Sequence, residues 1–183
     1  MRIIGGQHRG RKLLIPSSNT TRPTADLVKS SLFNILQNEI TDCNVLDLFA
    51  GSGALGLEAL SRGAKFACFV EKDKACYDIL RKNCDMITGE KLILNLDCKT
   101  ALKTLSQKNY KFNLVFLDPP YESKLELIAL EQLAELKLLE NNALLVIEQD
   151  ADVPVYLDNF SNYNNYDTRK YGRKKLYFLK YKE

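Results

Sequence analysis

The stretch Asn44-Val-Leu-Asp-Leu-Phe-Ala-Gly-Ser-Gly-Ala-Leu-Gly56 runs from apolar residues through a glycine-rich turn into a helical pattern. Residues 44–50 are apolar on both faces of an extended chain, which suits a strand in a parallel sheet covered by helices. Gly51, Gly53 and Gly56 then spell G-x-G-x-x-G, the turn that brings a ligand to a helix N-terminus. Residues 54–62 follow as a helix that Gly63 stops.

The same alternation repeats downstream. Strands are expected at 65–71, 92–96, 112–117 and 143–148, and helices at 74–84, 99–107 and 125–138. This spacing predicts right-handed βαβ units in an open, doubly wound α/β sheet. Upstream, residues 2–15 carry a hairpin signal and residues 16–19 a loop. Thr24 is the expected N-cap of a helix to about Asn38, whose apolar face is Leu27, Ser31, Phe33, Leu36 and Ile40. After Pro154 the sequence becomes rich in Tyr and Asn, with a turn expected at Asn162–Asn165. Two antiparallel strands then close the sheet edge, making seven strands. The expectation is one domain over 1–183: a basic hairpin extension at 1–20 and a catalytic core at 21–183.

Composition sets limits on what this core does. A chain of 183 residues with 45% hydrophobic and 27% charged residues is ordinary for a soluble globular protein. The five cysteines (Cys43, Cys68, Cys76, Cys84, Cys98) contain no C-x-x-C pair and read as reduced thiols, not a disulfide framework or a zinc site. No metal is expected. The N-terminus lacks the apolar core of a signal peptide, and no run approaches the ~20 apolar residues that span a bilayer. A cytoplasmic location follows as an expectation.

The net charge of +3 conceals a polarised chain. Arg2, Arg9, Arg11, Lys12, Arg22 and Lys29 face one acid, Asp26, in the first 29 residues, and residues 169–183 hold seven basic groups against Glu183. Residues 122–152 hold eight acids and only Lys124 and Lys137. Basic ends beside an acidic flank point to a polyanion approached from one side, or else to two solvated tails.

Two carboxylates bear on which ligand the glycine turn takes. Asp47, at the carboxyl end of its strand, would repel a pyrophosphate and suit an ammonium group, unless it only caps the turn. Glu71 ends the next strand and suits ribose hydroxyls, which NAD and S-adenosylmethionine share. Asp118-Pro-Pro-Tyr121 follows the fourth strand and decides between them. Two prolines end a strand abruptly and leave the Pro119 carbonyl outside the ladder. Asp118 and that carbonyl are two acceptors for an exocyclic NH₂, and Tyr121 is a stacking surface for a planar base.

Asp-Pro-Pro-Tyr after strand four, with Asp-Leu-Phe-Ala-Gly-Ser-Gly after strand one, resembles the class I S-adenosylmethionine (SAM)-dependent amino-methyltransferases. Arg2–Leu13, Arg22–Asp26 running into Ser31–Asn34, Leu46–Gly63 and Asp118–Tyr121 are similar to the bacterial small-subunit rRNA guanine-N2 methyltransferases of RsmD type. The resemblance covers residues 2 to about 121, and the tail agrees in pattern only. It implies a Rossmann-like fold, a SAM donor and, as acceptor, the exocyclic N2 of guanine 966 in 16S rRNA.

Residue by residue, the resemblance implies that Asp47, Phe49, Gly51 and Gly53 line the methionine portion of the cofactor. Glu71 and Lys72 would meet the ribose, and Asp97 and Cys98 the adenine. Asp118 and Pro119 would hold the target amine with Pro120 fixing the turn and Tyr121, where many members carry Phe, stacked on the guanine. Asp118, a poor base near its reference pKa of ~3.9, is assigned to orientation and electrostatic stabilisation. Arg9, Arg11, Lys12, Arg22, Arg173 and Lys174 are the expected RNA contacts, and His8 joins them or is merely solvated. The partner would be 16S rRNA in the 30S subunit or an assembly intermediate, with the enzyme a monomer. An adenine-N6 methyltransferase acting on DNA or RNA is the alternative, and a binding protein on a vestigial fold a third reading.

Overall fold

Parallel βαβ units place successive strands side by side with their crossover helices on the two faces, and the chain follows that rule through five strands. The structure, a computed structural model, describes residues 1–16, 23–120, 124–153, 155, 157 and 160–183, with the backbone alone at 23–26. In chain order the elements are α1 (Pro23–Ile35), β1 (Asn44–Asp47), α2 (Ala54–Ser61), β2 (Phe66–Val70), α3 (Lys74–Asp85) and β3 (Glu90–Leu94). They continue with α4 (Cys98–Gln107), β4 (Phe112–Leu117), α5 (Leu125–Glu135), β5 (Leu139–Asp150), β6 (Tyr163–Tyr171) and β7 (Lys174–Tyr181). The sheet order is β3-β2-β1-β4-β5-β7-β6. β1 to β5 pair in parallel and β7 pairs antiparallel with both β5 and β6. The expected doubly wound sheet with an antiparallel edge is therefore present.

Side chains alternate between the two faces and build two cores. Val45, Leu114, Phe116, Val146, Leu176 and Phe178 pack with α1, α2 and α3 on one face. Leu46, Val115, Leu117, Leu145, Ile147 and Leu179 pack with α4 and α5 on the other. Because the period is two, this parity also fixes which face each strand-end residue presents.

Three expectations need correction. Thr24 does not cap α1, which begins at Pro23, where the missing N–H costs nothing because the first-turn amides have no helical partner. Its buried face is Val28, Leu32, Phe33 and Leu36, whereas Leu27 is 61% exposed. The i, i+4 spacing of Val28, Leu32 and Leu36 is the real stripe. The turn expected at Asn162–Asn165 ends at Asn162, closed by the Tyr163 amide to the Phe160 carbonyl at 3.0 Å, and β6 starts at Tyr163, which pairs with Tyr181. Asn164 and Asn165 are exposed on an edge strand, where polar side chains suit the solvent face, and the chain reverses at Gly172, with φ +59°.

The first thirteen residues fold back as a hairpin through an Arg2–Lys12 bridge and the Ile3 N–H to Arg11 carbonyl bond of 2.9 Å. Glu58 on α2, fully buried, fastens it. Its carboxylate accepts from the amides of Ile4 and Gly5, both at 2.8 Å, and from Arg62 Nε at 2.8 Å, with Lys29 Nζ at 3.4 Å. The five cysteines are free thiols, four of them buried. Among the described residues no helix is long and apolar enough to cross a membrane.

Candidate active site

The carboxyl end of β1 leads into the glycine turn. Gly51 and Gly53 have φ of +53° and +82°, a region that residues with a Cβ avoid. A Cβ at Gly53 would come within 2.5 Å of Leu80 Cδ1, whereas above Gly51 the space is open. Gly53 is thus required by packing and Gly51 by conformation, and the face above Gly51 is open. Gly56 serves a different end, since a Cβ there would lie 2.3 Å from Phe69 Cε1 on β2. It lets α2 lie close against the sheet.

Carboxylates already occupy two amides of this turn. Glu71 Oε2 accepts from the Gly51 amide at 2.9 Å, and Asp47 Oδ2 accepts from the Gly56 amide at 3.0 Å. Gly53, the N-cap of α2, gives no side-chain cap, so Asp47 satisfies an orphan helix amide from the preceding strand. Asp47 is buried, which pushes its pKa up to about 7 against the lowering effect of the Gly56 bond. A pyrophosphate would have to displace or neighbour both carboxylates. Acceptors in these places fit a ligand offering hydroxyls and an ammonium, and so fit SAM.

Beyond β2, Glu71 is held ready by its bond from the Asp73 amide at 2.7 Å, while Asn95 Nδ2 donates to the carbonyls of Glu71 (2.8 Å) and Lys72 (3.1 Å). Lys72 itself is exposed, and Phe49 is half-buried against the α4–α5 core. Asp97 N-caps α4: it accepts from the Thr100 amide at 3.0 Å and the Thr100 hydroxyl at 2.7 Å, which hold its pKa below the ordinary carboxylate range. The buried Cys98 follows it, its thiol pKa raised by burial. Asn95 and Asn83 were not singled out from sequence. Asn83, fully buried on α3, accepts from the Leu14 amide at 2.8 Å and donates to the carbonyls of Leu14 (2.9 Å) and Ser52 (2.8 Å). It ties the end of the hairpin to the glycine turn.

Asp118 lies one residue past β4, directly beside β1 in the sheet. Pro119 is buried and Pro120 exposed, and Tyr121 lies outside the described residues. Parity puts Asp47 and Asp118 on the same face, since Asp47 pairs with Phe116, two residues before Asp118. Crowding by protein raises the Asp118 pKa, helped by the carboxylates of Glu148 and Asp47 and opposed by Lys174. Asp118 as a residue remains exposed to solvent. A raised pKa makes the ionised carboxylate a stronger base but leaves less of it ionised at neutral pH, so orientation and electrostatic stabilisation stay the role the site supports.

The basic residues divide. Arg9, Arg11 and Lys12 are exposed on the hairpin, and Arg173 is exposed at the β6–β7 turn, where its carbonyl accepts from the Ala151 amide at 2.9 Å. That turn overhangs the carboxyl end of β5, at the rim of the crevice. The hairpin tip instead sits at the far end of α2, where Ser61 Oγ accepts from the His8 amide at 3.0 Å. Eight helical residues place it roughly 12 Å from the glycine turn. His8 docks on Thr88, its Nε2 accepting from the Thr88 amide at 3.2 Å, so it has a structural partner that its sequence context did not suggest. Lys174 differs from Arg9, Arg11, Lys12 and Arg173 in having a carboxylate partner among the described residues: its Nζ lies 2.9 Å from Glu148 Oε1. Arg22 lies outside the described residues.

Known proteins are similar to this chain in sequence and fold. The "Ribosomal RNA small subunit methyltransferase D" of Escherichia coli is 43% identical over 153 residues, covering 83% of this chain and 76% of its own length. The "Putative rRNA methyltransferase YlbH" of Bacillus subtilis is 36% identical, covering 84% of both chains. A solved structure of a putative methyltransferase from Escherichia coli superposes with a TM-score of 0.84 at 37% identity, covering 100% of this chain and 98% of that one. The family model described as "Conserved hypothetical protein 95" matches residues 1–180. With that match over nearly the whole sequence, the chain belongs to this family, the RsmD family of class I methyltransferases.

Proposed function

We propose that the chain transfers a methyl group from SAM to the exocyclic N2 of a guanine in 16S rRNA, guanine 966, within the 30S subunit or an assembly intermediate. One observation carries the reading: Asp118 lies one residue past β4, the strand adjacent to β1, and on the same face as Asp47, which leads into the glycine turn. The relatives at 36–43% identity, whose names specify ribosomal RNA, support the substrate class.

Glu71, Asp47 and the open backbone at Gly51 would hold the cofactor, with Asp97 and Cys98 at its far end. SAM, when bound, supplies an electrophilic methyl on a sulfonium. The protein's part is to bring an amine nitrogen into line with it and exclude water, an effect worth several powers of ten in rate. Asp118 and the Pro119 carbonyl accept the two N–H groups and direct the nitrogen lone pair toward the donor. As the nitrogen gains the methyl it must lose a proton, which the adjacent Asp118 carboxylate, in its ionised form, can receive. The base has to leave its stack to reach this depth, which costs least in an RNA loop. Arg173 at the rim would meet phosphate beside that base, and Arg9, Arg11 and Lys12 on the hairpin would meet phosphates farther along the RNA.

Tritiated SAM incubated with unmethylated 30S subunits is expected to label one guanine at N2, and Asp118→Ala to abolish labelling while SAM still binds. Label on adenine, or unchanged turnover in Asp118→Ala, overturns the assignment.

A further inference from the structure

A second pair of side chains bounds the Asp118 pocket, and holding the amine does not require it. β4 and β5 register Leu117 with Ile147, so Asp118 and Glu148 follow as neighbours on adjacent strands, on the face that carries Phe116 and Val146. On β7, Leu176 pairs with Glu148, and Lys174 lies two residues earlier with the same parity. Lys174 Nζ reaches Glu148 Oε1 at 2.9 Å, and the side chains are 24% and 19% exposed. The crevice wall therefore presents acceptor, acceptor, donor in the order Asp118, Glu148, Lys174. The strands are about 4.8 Å apart and their side chains converge, as the 2.9 Å Glu148–Lys174 contact shows, toward the narrower edge of a base.

The Watson–Crick edge of guanine presents the complementary series in the same order: N2–H donor, N1–H donor, O6 acceptor. Taking guanine-N2 methylation as proposed above, we propose that Glu148 and Lys174 are specificity-determining residues that read N1–H and O6 of the target base. Adenine with its amine at Asp118 would turn the bare N1 lone pair toward the Glu148 carboxylate and offer Lys174 only a C–H. That arrangement leaves a charged acceptor facing an acceptor and a cation without a partner on the base, the mismatch a polar site rejects most strongly. The ion pair has its own purpose in the empty site: each partner keeps the other positioned before the base arrives.

The test uses reconstituted 30S particles carrying either guanine or 2,6-diaminopurine at the target position. The analogue keeps the N2 amine but replaces N1–H by a bare nitrogen and O6 by an amine. Wild-type enzyme should prefer guanine by at least about 100-fold in kcat/KM. Glu148→Gln, whose amide can turn to donate to the bare N1, and Lys174→Met should each shrink that ratio at least about tenfold with SAM affinity unchanged. Lys174→Arg, which keeps a donor, should retain most of it. Equal use of the two bases by wild type overturns the inference with no variant needed, as does an unchanged ratio in both SAM-binding variants. If wild type methylates no guanine N2 at all, the proposed function has failed instead.

Discussion

Replacing Glu58 by Ala isolates the contribution of one buried carboxylate to holding the N-terminal hairpin. Glu58 is fully buried and takes four donors: the amides of Ile4 and Gly5, the Arg62 guanidinium and the Lys29 ammonium. Removing one member of a buried ion pair costs about 3–5 kcal/mol, because the opposite charge stays behind. Lys29 is 4% exposed and cannot turn to water without unpacking α1. Arg62 is 20% exposed and can, which reduces its share. The two amides add about 1 kcal/mol each unless the hairpin lifts to solvate them. Lifting it would expose Ile3 and Leu13, at roughly 1.5–3 kcal/mol per side chain, so neither escape is free. A loss of about 4 kcal/mol is therefore expected, or 8–16 °C in Tm at ~2–4 °C per kcal/mol for a chain of this size. Urea unfolding and hydrogen exchange at the amides of Ile4 and Gly5 measure it. A loss under about 1 kcal/mol, with both amides still protected, would refute the argument that Glu58 fastens the hairpin.

Three further outcomes follow from the same contacts. Gly56→Ala drives a methyl against Phe69, so thermal unfolding should show a loss of about 1–3 kcal/mol; an unchanged Tm would mean α2 has room to shift. Asp47 has a folded pKa raised to about 7 above an unfolded value near 3.8, so its protonated form contributes stability that is present below pH 4 and lost as pH rises to 7. Asp47→Asn keeps an acceptor for Gly56 and should flatten the fall in unfolding free energy between pH 4 and 7; a curve parallel to wild type refutes the shift. Asn83→Leu strips partners from Leu14 and Ser52 and should weaken SAM binding by calorimetry about tenfold, with stability reduced by about 1–3 kcal/mol. Unchanged affinity would show that the glycine turn holds its shape without that tie.

The frame of this fold was legible because it depends on patterns that a strand or helix carries within itself. Strands apolar on both faces, such as Leu114–Leu117, announce a parallel sheet, and the glycine turn and the proline pair mark two strand ends by local chemistry. What stayed hidden depends on tertiary register. Asn164 and Asn165 looked like part of a turn because an exposed edge strand and a turn favour the same polar residues. Glu58 and Asn83 sit in helices where a polar residue normally faces water. The docking of residues 2–14 supplies two amide donors to Glu58 and both an amide and a carbonyl partner to Asn83, and it joins positions more than 50 residues apart.

The crevice shows the same limit most sharply. Asp47 and Asp118 could each be placed at a strand end, but Glu148 lies within a long β5, with Gln149 and Asp150 beside it as equal candidates. Parity selects between them. Glu148 shares the face of Val146 and Asp118, whereas Gln149 follows Ile147 to the other side, and Asp150 lies a further step along the strand. Lys174 was grouped with a basic tail because its neighbours Arg173 and Lys175 are basic. Antiparallel pairing of β7 with β5 brings it back to Glu148, while Lys175 turns away to stack on Tyr177. A one-residue slip of β7 would exchange Lys174 for Lys175 and move Leu176 and Phe178 out of their core. The apolar packing of β7 therefore fixes the register that brings Lys174 to the reaction crevice, so substitutions that disturb Leu176 or Phe178 should lower activity before they unfold the sheet.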